Sequence, residues 1–262
     1  MITAAVIQAR MGSTRLPGKV LLPIEGRPML WHVIDRVARA ACLDAVIVAT
    51  TTNGADAPIH ALAAGMGVHS YAGSADDVLT RTIGAAQTVK AGTIVRITSD
   101  CPLIDPDVID LVFARHQATG ADYTANVARR TFPRGLDVEI IAADSLQAVG
   151  MQRDLEPRHR EHVTPYLYEH PERFGVEHVG ATGILRRPEY RLCVDTEADL
   201  RLVREVYRRF YRPGRIVDVR QAVEWLAENP VWATSNVEAE RQHMARNRAE
   251  GIRQGILAEV EA

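Results

Sequence analysis

The chain has little of several things whose scarcity is informative. Of its 262 residues three are cysteine, Cys42, Cys101 and Cys193, widely spaced and without a C-x-x-C pair. That leaves no disulfide framework to read, and the three fit reduced thiols of a cytosolic protein. No apolar run approaches the length of a spanning helix. Six mildly apolar residues lead straight into Gln8 and Arg10 instead of a signal-peptide core. The sequence therefore predicts a cytoplasmic protein with no membrane partner. Neither sign of charge dominates: 31 Lys and Arg face 33 Asp and Glu, for a net charge of −2. Nothing in that balance attracts nucleic acid in bulk. Internal repeats and low-complexity tracts are absent. The P-loop fingerprint nearly appears, but Gly12 stands one position too far from Lys19 and Val20 replaces its Ser or Thr.

The first half alternates short apolar runs with helical spacing. Strands are expected at 5–7, 45–49, 67–71 and 94–98, and helices at 29–41, 57–64 and 76–86. Strand and helix in turn predict an α/β fold, its mainly parallel sheet covered on both faces. Ligands then sit beyond the C-terminal strand ends, so the loops at Gln8, Thr50, Gly73 and Ser99 should share one rim. From 123 to 171 the rhythm loosens, with strands expected at 123–127 and 135–141. Further strands are expected at 176–179, 192–194 and 216–219, with helices at 197–210 and 221–226. Residues 1–235 read as one domain and 236–262 as a polar helical tail.

The first chemistry-bearing stretch is 5–20, AVIQARMGSTRLPGKV. A strand runs into a loop that carries Arg10, Arg15 and Lys19. Gly12 and Gly18 let its backbone approach a ligand, and Pro17 stiffens it. Three cations and free backbone N–H groups after a strand make a cradle for a polyphosphate. Asp100 stands at the tip of the fourth strand, between Ser99 and Pro102. Asp195 stands at the tip of a later one, before a helix capped by Thr196 with Glu197 and Asp199 in its first turn. Carboxylates on the ligand rim suit Mg²⁺, which takes such ligands together with substrate phosphate oxygens. In GSADDVLTR, Ser74 and the aspartates at 76 and 77 read either as helix caps or as ligand contacts. In GLDVEII, Asp137 and Glu139 share a strand face, either solvated or recognising acceptor hydroxyls or amines. In RHREHVTPYLYEHP, His159 and His162 lack a third ligand for zinc. Arg160, Glu161 and His162 buttress an acceptor pocket or a subunit contact.

R-x-x-S-x-R-L-P-x-K at 10–19, followed by Gly26-Arg27-Pro28-Met29, resembles the opening of the sugar cytidylyltransferases. That group includes CMP-KDO synthetases, acylneuraminate cytidylyltransferases and the spore-coat polysaccharide biosynthesis cytidylyltransferases. D-x-P-L-I at 100–104 and V-D-T-x-x-D-L at 194–200 are similar to its two metal-binding segments. Ser99-Asp100-Cys101-Pro102 departs from the Gly-Asp-Glu-Pro of the KDO enzymes, and G-L-D-V-E is closer to the spore-coat group. The resemblance covers roughly residues 1–230. It implies a three-layer Rossmann-like nucleotidyltransferase fold with a small dimerisation excursion at about 123–171, hence a homodimer. It implies that a sugar acid or related surface-polysaccharide sugar attacks CTP to give a CMP-sugar and pyrophosphate. The implied nucleotide contacts are Gln8, Ala9, Arg10, Gly12, Ser13, Arg15 and Lys19 in the loop, with Ser74, Asp77 and Arg81 near the base, and Ser99. Asp137, Glu139, Arg160 and His162 would face the acceptor, and Asp100 and Asp195 would hold Mg²⁺. Two rivals share this sheet: a nucleotide-sugar-dependent glycosyltransferase and a catalytically silent nucleotide-binding partner protein. The cationic loop argues against the first, and intact Lys19, Asp100 and Asp195 against the second.

Overall fold

A computed structural model of the chain describes residues 1–237. Strands β1 (Ile2–Gln8), β2 (Pro23–Ile24) and β3 (Arg27–Pro28) precede helix α1 (Met29–Val37). Then come β4 (Ala45–Thr51), α2 (Ala57–Gly65), β5 (His69–Gly73), α3 (Val78–Thr88), β6 (Ala91–Thr98) and α4 (Pro106–Thr119). The looser region holds β7 (Tyr123–Ala125), β8 (Glu139–Ala142), α5 (Ala143–Gly150), α6 (Pro157–His162), α7 (Pro165–Glu169) and β9 (Val176–His178). Helices α8 (Glu197–Phe210), α9 (Val219–Glu228) and α10 (Pro230–Ala233) follow.

Seven of the strands form one sheet in the order β5-β4-β1-β6-β8-β7-β9. β5, β4, β1 and β6 run parallel, as the strand-helix alternation requires. β8 lies antiparallel to β6 and to β7, and β9 pairs parallel with β7, so the sheet is mixed. Side chains alternate across it. Ala5 and Ile7 of β1 pack in one apolar layer with α1, α4 and α8, while Ala4 and Val6 pack in the other with α3, α5 and α7. Burial of both faces explains why these strands read as nearly unbroken apolar runs. The arrangement is a three-layer α/β fold, with helices on both faces of the sheet.

Three expected strands come out differently. The run at 135–141 is ordered as strand only from Glu139, because Gly135 bends the chain at φ +106°. A side chain there would lie 2.6 Å from the Cys193 backbone nitrogen, so glycine is required by close approach as well as by angle. Residues 192–194 are not a sheet strand. They are extended and pinned instead: Leu192 N donates to Arg134 O at 2.6 Å, and Val194 N to Asp100 O at 2.8 Å. Residues 216–218 precede α9 without sheet pairing. Asn236, the first residue read as tail, is buried and donates to Arg191 O at 3.0 Å and to Asp199 Oδ1 at 2.8 Å. The rest of that tail, 238–262, lies outside the described residues. Among the described residues no helix is long and apolar enough to cross a membrane.

Candidate active site

The rim beyond β1 and β6 opens into a cavity of about 340 Å³. The loop after β1 forms one wall. It folds back on itself, with Ser13 N and Gly18 N both donating to Met11 O, at 2.8 and 3.1 Å. Gly18 at φ +66° starts a short 3₁₀ turn over Lys19–Leu21 that brings Lys19 inward. Asp56 ties the loop to the end of β4. Its carboxylate accepts from Met11 N at 2.8 Å and from Thr51 N at 3.2 Å. Burial opposes its ionisation, but the hydrogen bonds from Thr51 and Met11 outweigh it and hold the carboxyl below its ordinary range.

Lys19 is the centre of the site. Its Nζ donates to Asp100 Oδ2 at 2.8 Å, to Val194 O at 2.9 Å and to Asp195 Oδ1 at 2.7 Å. Burial works against the ammonium, yet the attraction of Asp100 and Asp195 overcomes it and its pKa is raised. Asp195 is also reached by Arg15 at 2.7 Å and by Arg191 at 2.6 Å. Burial opposes its ionisation too, but Lys19, Arg15 and Arg191 win and hold its carboxyl below the usual range. Arg191 pairs at the same time with Asp199, which accepts from the backbone N–H groups of Asp195 and Thr196. The helix cap at Thr196 is therefore real, and Asp195 stands outside it, facing Lys19.

Gln8, Ala9, Arg10, Gly12, Ser13 and Arg15 line the cavity, as do Arg81, Ser99 and His162. The aspartates and Lys19 converge there despite 95 positions of sequence between Asp100 and Asp195. Other expected contacts lie elsewhere. Ser74 caps a turn through the N–H groups of Asp76 and Asp77, and Asp77 caps α3 by accepting from Thr80 N at 2.8 Å. Asp77 also pairs with Arg160 at 2.7 Å, so that arginine joins α6 to α3. Asp137 is gripped by Arg130 through both oxygens, at 2.7 and 3.0 Å. Because the strand starts at Glu139, Asp137 and Glu139 do not form one strand face. Glu139 is buried, accepting from Tyr123 Oη and Thr164 Oγ1, each at 2.6 Å, and from Arg96. His159 accepts from Glu156 N at 3.0 Å and contacts Glu169, turned away from His162. No cluster of three His, Cys, Asp or Glu suited to a metal occurs among the described residues.

Sequence reasoning missed Arg96 as a lining residue. Its Nε donates to Gln8 Oε1 at 3.1 Å and its fork to Glu139. An arginine inside the apolar run IVRIT, on the same strand face as Thr98, was the available signal. Thr14, Val20, Val78 and Glu161 line the cavity as well. Glu161 and His162 are presented by a tight turn at Val163, whose φ of 73° is strained for a β-branched residue. Thr164 N closes that turn on His162 O at 2.9 Å.

A three-layer α/β sheet with a cationic loop and two acids on its rim fits a nucleotidyltransferase. More particularly, the chain belongs to the cytidylyltransferase family, whose model matches residues 4–245. It is 34% identical over 234 residues to the spore coat polysaccharide biosynthesis protein SpsF of Bacillus subtilis, covering 87% of this chain and 95% of that one. A cytidylyltransferase structure from Leptospira borgpetersenii serovar Hardjo-bovis superposes with a TM-score of 0.82 at 32% identity, covering 89% of this chain and 97% of the other. A CMP:2-keto-3-deoxy-manno-octonic acid synthetase solved with CTP shares the fold at a TM-score of 0.60 and 21% identity, covering 79% of this chain and 99% of that one.

Proposed function

We propose that this cytidylyltransferase activates a sugar acid, or a related surface-polysaccharide sugar, with CTP. The observation that carries the reading is Lys19 Nζ held between Asp100 and Asp195 under the loop of Arg10 and Arg15. The acceptor oxygen attacks the α-phosphorus of CTP and forms a new P–O bond. The bond from that phosphorus to the β-phosphate oxygen breaks, pyrophosphate leaves with the bonding pair, and the hydroxyl proton passes to water. Arg10, Arg15 and Lys19 bind the triphosphate and oppose charge on the departing pyrophosphate. Gly12, Ser13 and the backbone at Ala9 lie along it. Gln8, Ser99 and Arg81 support the nucleoside, with Ser74 and Asp77 shaping the turn beside it. His162 and Arg160 mark the acceptor side, with Asp137 and Glu139 behind it.

Asp100 and Asp195 fit a hard divalent ion. They offer two carboxylates close enough to share one ammonium, and phosphate oxygens complete such a shell. Asp100 and Asp195 would hold Mg²⁺, which when bound would supply charge neutralisation and Lewis acidity at the phosphates. The SpsF likeness and the fold shared with the octulosonate synthetase support CTP and a sugar acceptor. Three free cysteines suit a cytoplasmic enzyme.

CTP with Mg²⁺ should raise the melting temperature more than UTP, GTP or ATP, and pyrophosphate release with an acceptor panel should follow. Stabilisation by a purine nucleotide instead would refute the reading. The segment from β7 to α7 interrupts the parallel pattern, and we assign it to a homodimer contact. Light scattering should give twice the 28.9 kDa chain mass, and a monomer across a wide concentration range removes this assignment.

A further inference from the structure

Lys19 has a feature that phosphate binding does not account for. Its Nζ is surrounded by three oxygens, from Asp100, Val194 and Asp195, at 2.7 to 2.9 Å. Those are the donors that a hard cation would use. The carboxylates around them are already paired with cations. Asp100, Asp195 and Asp199 are linked by ion pairs to Lys19, Arg15 and Arg191, three carboxylates against three cations. A divalent ion approaching the nucleotide-free protein therefore meets carboxylates already taken up by cations and a cavity wall that also carries Arg10, Arg81 and Arg96.

We propose that Lys19 is a latch that holds the metal-binding carboxylates until the triphosphate arrives. The inference rests on the nucleotide reading above for what releases the latch, but the latch itself is a property of the nucleotide-free chain. A triphosphate on the loop offers Lys19 and Arg15 an alternative set of anionic oxygens. Moving the ammonium onto them frees Asp100 and Asp195, and adds phosphate oxygens to the same place. Metal and nucleotide then bind with positive coupling, and the coupling is reciprocal. Its practical effect is selectivity: the free enzyme does not hold a divalent ion that lacks its nucleotide.

Two neighbours frame Lys19. Gly18, at φ +66°, precedes the short turn that begins at Lys19. Arg191 stays behind. Another of its partners, Asp199, is buried and anchored by Asn236, so Asp195 keeps a fixed cation when Lys19 departs.

The test is Mn²⁺ binding followed by electron paramagnetic resonance, in which the free hexaaquo ion gives the signal. In nucleotide-free protein, Lys19→Met should bind Mn²⁺ at least about fivefold more tightly than wild type, the lower end of ordinary coupling. Lys19→Gln should do the same, and adding Asp100→Asn to either should abolish the gain. With CTP present, after correction for Mn²⁺–CTP complexes in solution, the wild-type affinity should rise by roughly 5- to 150-fold. In Lys19→Met that rise should shrink severalfold. Equal nucleotide-free affinity in wild type and folded Lys19 variants would overturn the latch. If both variants fail to fold, the wild-type linkage decides, and identical Mn²⁺ affinity with and without bound CTP overturns it. Failure of every form to bind CTP would refute the nucleotide reading instead, and the nucleotide-free comparison would still judge the latch.

Discussion

Asp100→Asn and Asp195→Asn should each lower kcat/KM by roughly 10²–10³-fold, the scale of losing one electrostatic stabiliser from a preorganised site. The double variant should be little worse than either single one. Independent sites would multiply to about 10⁴–10⁶-fold, whereas residues that act as a unit do not add. The reason is geometric: both carboxylates converge on one point, close enough to share a single cation, so either change breaks one assembly. The measurement is a double-mutant cycle on pyrophosphate release with CTP across a Mg²⁺ titration. Losses that multiply fully would place the two acids in separate roles. An active Asp195→Asn at ordinary Mg²⁺ would reduce Asp195 to a neighbour of the Thr196 cap. Two acids that meet without a metal ordinarily repel each other, and removing either charge then relieves repulsion. The structure reverses this for Asp195, which three cations hold. Asp195→Asn should therefore cost stability, about 1–3 kcal/mol for charged hydrogen bonds lost in a part-buried place.

The largest stability effect should come from Glu139. The residue is 6% exposed, and its carboxylate receives Tyr123, Thr164 and Arg96. Glu139→Ala leaves the Arg96 guanidinium without its counter-charge and two hydroxyls without an acceptor. Breaking a buried pair in this way costs about 3–5 kcal/mol. For a domain of this size that amounts to roughly 6–20 °C in melting temperature. Glu139→Gln keeps an oxygen for the two hydroxyls and loses only the charge, so it should cost clearly less. Urea unfolding of both variants checks the order. A loss below about 1 kcal/mol for Glu139→Ala would show that Arg96 finds another partner and that the network does not stiffen the cavity floor.

The parallel half of the fold was legible because strand and helix each bury an apolar face there, and β1, β4 and β6 are buried on both sides. The mixed half was not. Antiparallel β8 is only four residues long, and what trims it is Gly135 passing against Cys193, a contact between distant segments that no local pattern reports. The loop cations and the two rim acids were legible as chemistry, because a cationic loop after a strand has few other uses. Their pairing was not, since it depends on residues 190–194 lying against Arg134 and Asp100 through backbone hydrogen bonds between distant segments. Asp137 and Glu139 show the limit of alternation as a guide. The two-residue spacing suggested a shared face, but the chain bends between them, and each acid takes an arginine of its own. Arg96 was hidden by the reverse error: a charge inside an apolar run reads as an interruption, when here it faces the cavity.

The two hydrogen bonds of Asn236 have a consequence for how the protein is made. Asn236 steadies Asp199 and the Arg191 backbone, and through them Asp195. The loop of Arg10, Arg15 and Lys19 leaves the ribosome first, and the whole parallel sheet can close around it while the far acid is still being translated. A nascent chain that has finished its sheet thus carries a cationic loop facing Asp100 alone. The buried amide that steadies Asp199 and the Arg191 backbone is added only once residue 236 has cleared the exit tunnel.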